Sequence, residues 1–219
     1  MNAATGSREA AGGPPDDLPP ARIDHAVASG TFSLEGETVD VENNVWLVGD
    51  DEECVIIDAP HDIAPILQLV AGRKVRAVLC THAHDDHVRV APELGAAVGA
   101  PVLLHPLDLP LWSQIHDSPP DGELTDGQQI EVAGTALTVL HTPGHTPGGV
   151  CFYAEELSTV FTGDTLFQGG PGATGRSFSD RALLVTSIID QLLALPGPTI
   201  VKTGHGDDTT IADEKDNII

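Results

Sequence analysis

The segment CTHAHDDHV, residues 80–88, packs three histidines and two aspartates into six consecutive positions, His82 to His87, of a chain with ten histidines in all. A solvated polar loop would account for the charge but not for the spacing. The preceding run KVRAVLC is short, β-branched and apolar, the pattern of a buried strand. The following VRVAPELGAAVGA reads as a short helix over 88–99 with a glycine near its end. His82 and His84 stand two apart at a strand end, where alternate residues point to the same side. Asp86 and His87 then belong to the first turn of the next helix. Imidazoles and carboxylates are ligands that zinc and iron favour. The segment thus offers two ligand pairs, and neither fills a coordination sphere alone.

The rest of the chain limits what such a centre can serve. Its 219 residues suit one domain with a sizeable core. No apolar run approaches the length of a membrane helix. The start, MNAATGSREAAGGPPDDLPP, lacks the basic and then apolar order of a secretion signal. Its Ala, Gly, Pro and Asp bias predicts a disordered tail over 1–20, ahead of a single domain over 21–219. The 33 acidic and 10 basic residues give a net charge of −23. That disfavours nucleic acid and anionic membranes as partners and leaves a small-molecule substrate. Cys54, Cys80 and Cys151 form no CxxC and sit in apolar, strand-like stretches, as buried reduced thiols of a cytoplasmic protein do. A homo-oligomer is left open.

Outward from the histidine segment, strands come first: ARIDHAVASGTFSL, then NNVWLVGDD and CVIIDAP, the last two paired in a hairpin VWLVGDDEECVIID around its acidic turn. A helix HDIAPILQLVAGRK leads into the strand before Cys80. A short strand PVLLH, a helix-like PLDLPLWSQIH and a loop SPPDGELTDGQ come next. Strands resume in QQIEV, TALTVLHT, GGVCFYA and STVFTGD, followed by a glycine-rich surface loop QGGPGATGRSF. The helix SDRALLVTSIIDQLLALP and a last strand TIVKTGH close the pattern, with no helix-rich sequence expected after it. Two blocks of strands followed by helices predict an α/β protein with a two-sheet core and helices on both outer faces.

Three further turns each carry one residue of metal-ligating type. HTPGHTPGG sets His145 between two Pro-Gly pairs, FTGDTLF sets Asp164 after a glycine, and VKTGHGDD sets His205 between two glycines. Together with THAHDDH these residues resemble the metallo-β-lactamase-fold hydrolases, whose signature is HxHxDH. TPGHTPGG, TGDTLF and the Gly175-Arg176 pair are most similar to the glyoxalase II-like branch. The resemblance implies a four-layer αββα sandwich. It implies two divalent metal ions, zinc first, with iron or manganese as alternatives. One would be held by His82, His84 and His145 and the other by Asp86, His87 and His205, with Asp164 bridging. Asp86 and Asp164 are then the catalytic carboxylates, and Asp58 is the group that orients a ligand histidine through its other ring nitrogen. Arg176, in the glycine-rich loop, is a contact for an anionic substrate group. His25, His61, His105, His116 and His141 match nothing in the pattern and read as surface or core histidines.

A metal pair supports hydrolysis by generating hydroxide near neutral pH and polarising the carbonyl under attack. Several true β-lactamases replace the bridging carboxylate with Cys or Ser, so Asp164 points away from them. The resemblance leaves thioester hydrolases, lactonases and mononuclear iron persulfide dioxygenases. Of these, hydrolysis of a small hydroxyacyl- or formyl-thiol ester, such as a glutathione or mycothiol conjugate, is the leading expectation. The resemblance is to the short members of the branch, for which the helical C-terminal region of glyoxalase II proper is not expected.

Overall fold

Strict alternation in the central strands builds the layers. In β2 (Glu37–Gly49), Val45 and Leu47 face one way and Trp46 and Val48 the other. In β3 (Glu53–Ile57), Cys54 and Ile56 oppose Val55 and Ile57 in the same manner. A strand apolar on both faces must be covered on both. The computed structural model describes residues 21–34 and 36–218; the tail expected over 1–20 lies outside them.

The first sheet runs β1-β2-β3-β4-β5-β6, with β1 (Arg22–Leu34), β4 (Lys74–Leu79), β5 (Val102–Leu104) and β6 (Gly122–Glu123). Its first three strands are antiparallel and the rest pair in parallel. The second sheet has the order β14-β13-β10-β9-β8-β7. Its strands are β7 (Gln129–Val132), β8 (Thr135–His141), β9 (Val150–Ala154), β10 (Thr159–Gly163), β13 (Ile200–Thr203) and β14 (Thr209–Thr210). A two-stranded hairpin, β11 (Leu166–Phe167) with β12 (Gly170–Pro171), occupies part of the expected glycine-rich loop.

Trp46, Val48, Val55, Ile57 and Leu79 of the first sheet meet Leu137, Val139, Phe152 and Phe161 of the second in a buried layer between them. On the outer face of the first sheet lie α1 (Ile63–Val70), α2 (Asp85–Val88), α3 (Ala91–Val98) and α4 (Leu109–Trp112). On that of the second lie α5 (Arg181–Ser187), whose continuation over Ile188–Leu192 widens to π geometry, and α6 (Ile211–Ile218). The architecture is the αββα sandwich.

Two sequence expectations change. The helix expected over 88–99 is broken into α2 and α3, because Pro92 has no N–H to bond the Val88 carbonyl. His116 Nε2 lies 2.9 Å from that carbonyl oxygen and takes it instead. The tail after His205 is not free of regular structure: it forms β14 and α6. Thr210 Oγ1 accepts from Asp213 N as a helix cap, and buried Glu214 accepts from Thr209 Oγ1 (2.7 Å) and Gly169 N (2.9 Å). Read as composition, that segment is merely acidic; its helix depends on Ile211 and Glu214 being buried.

Candidate metal centre

Parallel and antiparallel pairing bring β8, β10 and β13 to a common direction, so the loops that follow them open at one end of the second sheet. These loops carry His145, Asp164 and His205. The loop after β4 brings His82, His84, Asp86 and His87 to the same place, where open α/β sheets collect functional side chains. His82, His84 and His145 form one cluster and Asp86, His87 and His205 another. In the first, His84 Nδ1 lies 3.0 Å from both His82 Nε2 and His145 Nε2. In the second, His205 Nε2 is 3.3 Å from Asp86 Oδ2 and 3.2 Å from His87 Nε2. Asp164 stands between them. Its Oδ1 faces His87 Nε2 at 3.3 Å and its Oδ2 faces His145 Nε2 at 3.5 Å.

The outward ring nitrogens fix how these imidazoles are presented. His145 Nδ1 donates to the Ala173 carbonyl (2.8 Å) and His205 Nδ1 to the Glu42 carbonyl (2.7 Å). His87 Nδ1 donates to Asp58 Oδ2 at 2.8 Å. Thr81 gives its hydroxyl proton to Asp58, so His82 Nδ1 donates to Thr81 Oγ1 at 3.1 Å. Each neutral ring therefore turns an Nε2 lone pair inward. His84 Nδ1 carries at most one proton and so can serve only one of the two lone pairs that face it, while those of His87 and His205 face each other at 3.2 Å; a cation among them satisfies all.

Protons do not supply that cation in the first cluster. Burial, reinforced by the neighbouring histidines, pushes His82 well below the usual imidazole range, and burial with His145 pushes His84 to about 3. The second cluster behaves oppositely. Burial opposes charge on His87 and His205, but Asp164 and Asp86 (with Asp58 for His87) outweigh it and raise both. The same pairing overrides burial for the carboxylates, bringing Asp86 to about 2 and Asp164 well below the ordinary range. Asp164 Oδ1 is also buried with no hydrogen-bond partner among the described residues. An orphaned carboxylate oxygen beside converging imidazole lone pairs fits divalent cations.

Space at the centre is set by glycine. A Cβ on Gly204 would lie 2.5 Å from Asp164 Oδ1 and 2.8 Å from His87 Cε1, so the turn before His205 has to lack a side chain. Above the clusters is a cavity of about 230 Å³, bordered by Phe32, Val41, Thr174, Arg176, Ser177 and Ser179. Arg176 Nη2 pairs with Glu37 at 3.1 Å, and its guanidinium lies 5.9 Å from the Phe32 ring centre. Thus the β1–β2 hairpin and the glycine-rich loop meet over the site.

Several participants escape sequence reasoning. Asn43, read only as part of a strand, points its amide nitrogen at Asp86 Oδ2 (3.1 Å) and at the Nε2 atoms of His87 and His205 (3.3 Å each). His61, read as a surface or core histidine, bonds Asn43 Oδ1 at 2.8 Å. Asp108, fully buried, accepts from Ala83 N (2.9 Å), Thr146 Oγ1 (2.8 Å) and Gly148 N (2.6 Å). One carboxylate thereby staples the loop of His82 and His84 to the loop of His145. The signal was present: an acid among leucines in PLDLPLW is costly to bury without partners. Asp108→Ala leaves those three donors unpaired at about 1–3 kcal/mol each. Urea denaturation of the metal-free variant should register a loss of roughly 3 kcal/mol or more, and an unchanged midpoint would deny the staple.

A four-layer αββα sandwich with adjoining His/Asp clusters at one end of its sheets defines a class of metal-dependent hydrolases. The chain belongs to the metallo-beta-lactamase superfamily, whose family model matches residues 38–205. It is 35% identical over 193 residues to hydroxyacylglutathione hydrolase GloC of Haemophilus influenzae, covering 80% of this chain and 90% of that one. Among solved structures it resembles TTHA1623 in a di-iron-bound form, with 38% identity, a TM-score of 0.71 and coverage of 80% and 92%. The BLEG-1 B3 metallo-beta-lactamase gives 30% identity and a TM-score of 0.72, with coverage of 86% and 97%. Among the described residues no helix is long and apolar enough to cross a membrane.

Proposed function

We propose that the protein hydrolyses a small acyl-thiol ester at a centre of two divalent cations. His82, His84 and His145 hold one and Asp86, His87 and His205 the other, with Asp164 serving both. The observation that carries the reading is the inward presentation of all these donors, with four of the five imidazoles held by an acceptor on the outer nitrogen. Zinc is the expected cation, and iron is the alternative raised by the di-iron relative. When bound, such a pair supplies a nucleophile from water near neutral pH and polarises the carbonyl under attack.

The protein's own groups do the rest. Asp86 and Asp164 are anionic at neutral pH and accept cations without losing protons. Asp58 holds His87 in the tautomer that ligates. The cavity of about 230 Å³ is smaller than the ~300–1,000 Å³ of typical ligand pockets, which favours a short acyl group. Phe32 and Val41 offer it an apolar wall. Arg176 binds an anionic group of the substrate in exchange for Glu37, since an exposed pair of that kind holds by only about 0–1 kcal/mol. The 35% identity to a hydroxyacylglutathione hydrolase supports the thioester class, with glutathione or mycothiol as the carrier thiol.

The test is thiol release from hydroxyacyl and formyl thioesters of small thiols, set against lactones and a β-lactam. Thioesters should turn over fastest, with loss of the rate on chelation and recovery on adding zinc. Faster lactone or β-lactam cleavage would move the substrate class, and turnover indifferent to chelation would remove the metal.

A further inference from the structure

The segment between β3 and α1 holds two non-glycine residues in left-handed backbone, Asp58 (φ 64°) and His61 (φ 48°). Such conformations cost energy and persist where the surroundings over-determine them. Asp58 faces His87; what His61 gains from its strained position has no counterpart in the ligand pattern. Its ring is closely seated. A Cβ on Gly30 of β1 would fall 2.3 Å from the ring, so the strand lacks a side chain where the histidine lies.

The contacts of that ring have a direction. On one side Arg89 Nη1 stands 3.5 Å from His61 Nδ1, and a guanidinium can only donate. Nδ1 therefore keeps its lone pair and the ring proton sits on Nε2. Burial first, and Arg89 second, hold His61 in the neutral form that this arrangement needs. Nε2–H donates to Asn43 Oδ1 at 2.8 Å, which turns the Asn43 nitrogen to the other side. There it meets Asp86 Oδ2, His87 Nε2 and His205 Nε2, all within 3.3 Å. The reversed amide would set an oxygen against the Asp86 carboxylate and turn its nitrogen to the Nε2–H of His61, an unfavourable contact at each end.

We propose that His61 is a positioning residue for the second cation site, that of Asp86, His87 and His205: it fixes the Asn43 amide nitrogen-inward, where its N–H holds Asp86 Oδ2 and leaves that oxygen a lone pair for the cation. The proposal rests on the reading that these three residues hold a cation. Groups that orient ligands in this way are worth about 10–100-fold in metal affinity.

The experiment is zinc titration of the full chain against a chromophoric chelator, resolving the two sites. His61→Asn tolerates the left-handed backbone but is too short to reach Asn43. It should weaken one of the two zincs about 10–100-fold and leave the other unchanged. His61→Gln, which can place a donor near the same point, should recover most of the loss. Asn43→Ala should match His61→Asn, and the double variant should lose no more than either alone, as coupled residues do. Equal second-site affinity in His61→Asn and wild type, or additive losses in the double variant, would overturn the proposal. So would a parallel loss at both sites, which marks a general structural effect. A wild-type chain that binds a single zinc removes the two-cation reading and the proposal with it. Two zincs in wild type with no change in His61→Asn removes the proposal alone.

Discussion

Asp164→Ala should lose both bound metal and hydrolysis, the largest effect of any single substitution in this centre. Its carboxylate faces both clusters, through Oδ1 to His87 and His205 and through Oδ2 to His145. Alanine preserves the backbone of the turn, where Thr165 N bonds the Thr162 carbonyl at 2.9 Å. The charge that opposes three imidazoles then disappears without a cavity in the apolar core. Metal catalysis contributes several kcal/mol of transition-state stabilisation, and at about 1.4 kcal/mol per factor of ten the expected fall in kcat/KM is roughly a thousandfold. Asp164→Asn separates charge from shape: it should fail nearly as badly. Elemental analysis alongside the rates distinguishes lost metal from lost chemistry, and turnover retained in either variant contradicts the shared role of Asp164.

Acidification should empty the two sites in order, the Asp86–His87–His205 site first. A histidine ligates only when neutral, so a proton competes with the metal at any pH below the pKa of the metal-free ring. His87 and His205 are raised above the ordinary imidazole range of about 6.5. Their protons therefore compete already at neutral pH. Below those raised values each proton displaced costs up to about tenfold in affinity per pH unit. For His84, at about 3, and His82, also strongly lowered, competition is negligible over the same window. Equilibrium dialysis between pH 8 and 5 should show one equivalent released before the other. Simultaneous release, or retention of the second-site metal after the first has gone, contradicts the opposed electrostatics of the clusters.

What could be read from the sequence followed the distance over which each feature acts. His82, His84, Asp86 and His87 are adjacent in the chain, and His145, Asp164 and His205 each sit in a turn marked by Gly or Pro, so residue type and spacing exposed all seven as candidates. The layers were readable because β2 and β3 are apolar on both faces. The groups that hold the candidates in place did not show their partners locally. Asp108 reaches Ala83 across 25 residues and Thr146 across 38, and Asn43 reaches His205 across 162. None of these three bonds can be inferred from neighbours in sequence. The break at Pro92 was a local signal outweighed by the apolar run around it. The helix α6 was hidden because its two buried anchors, Ile211 and Glu214, lie in a segment whose composition is acidic.

The most direct test of the central claim is the metal content of the purified, unsupplemented protein. Two equivalents of zinc, or of zinc and iron together, per chain are predicted, since two donor sets share one carboxylate. A single equivalent of iron would contradict the two-cation centre and point to oxygen chemistry on a persulfide in place of thioester hydrolysis.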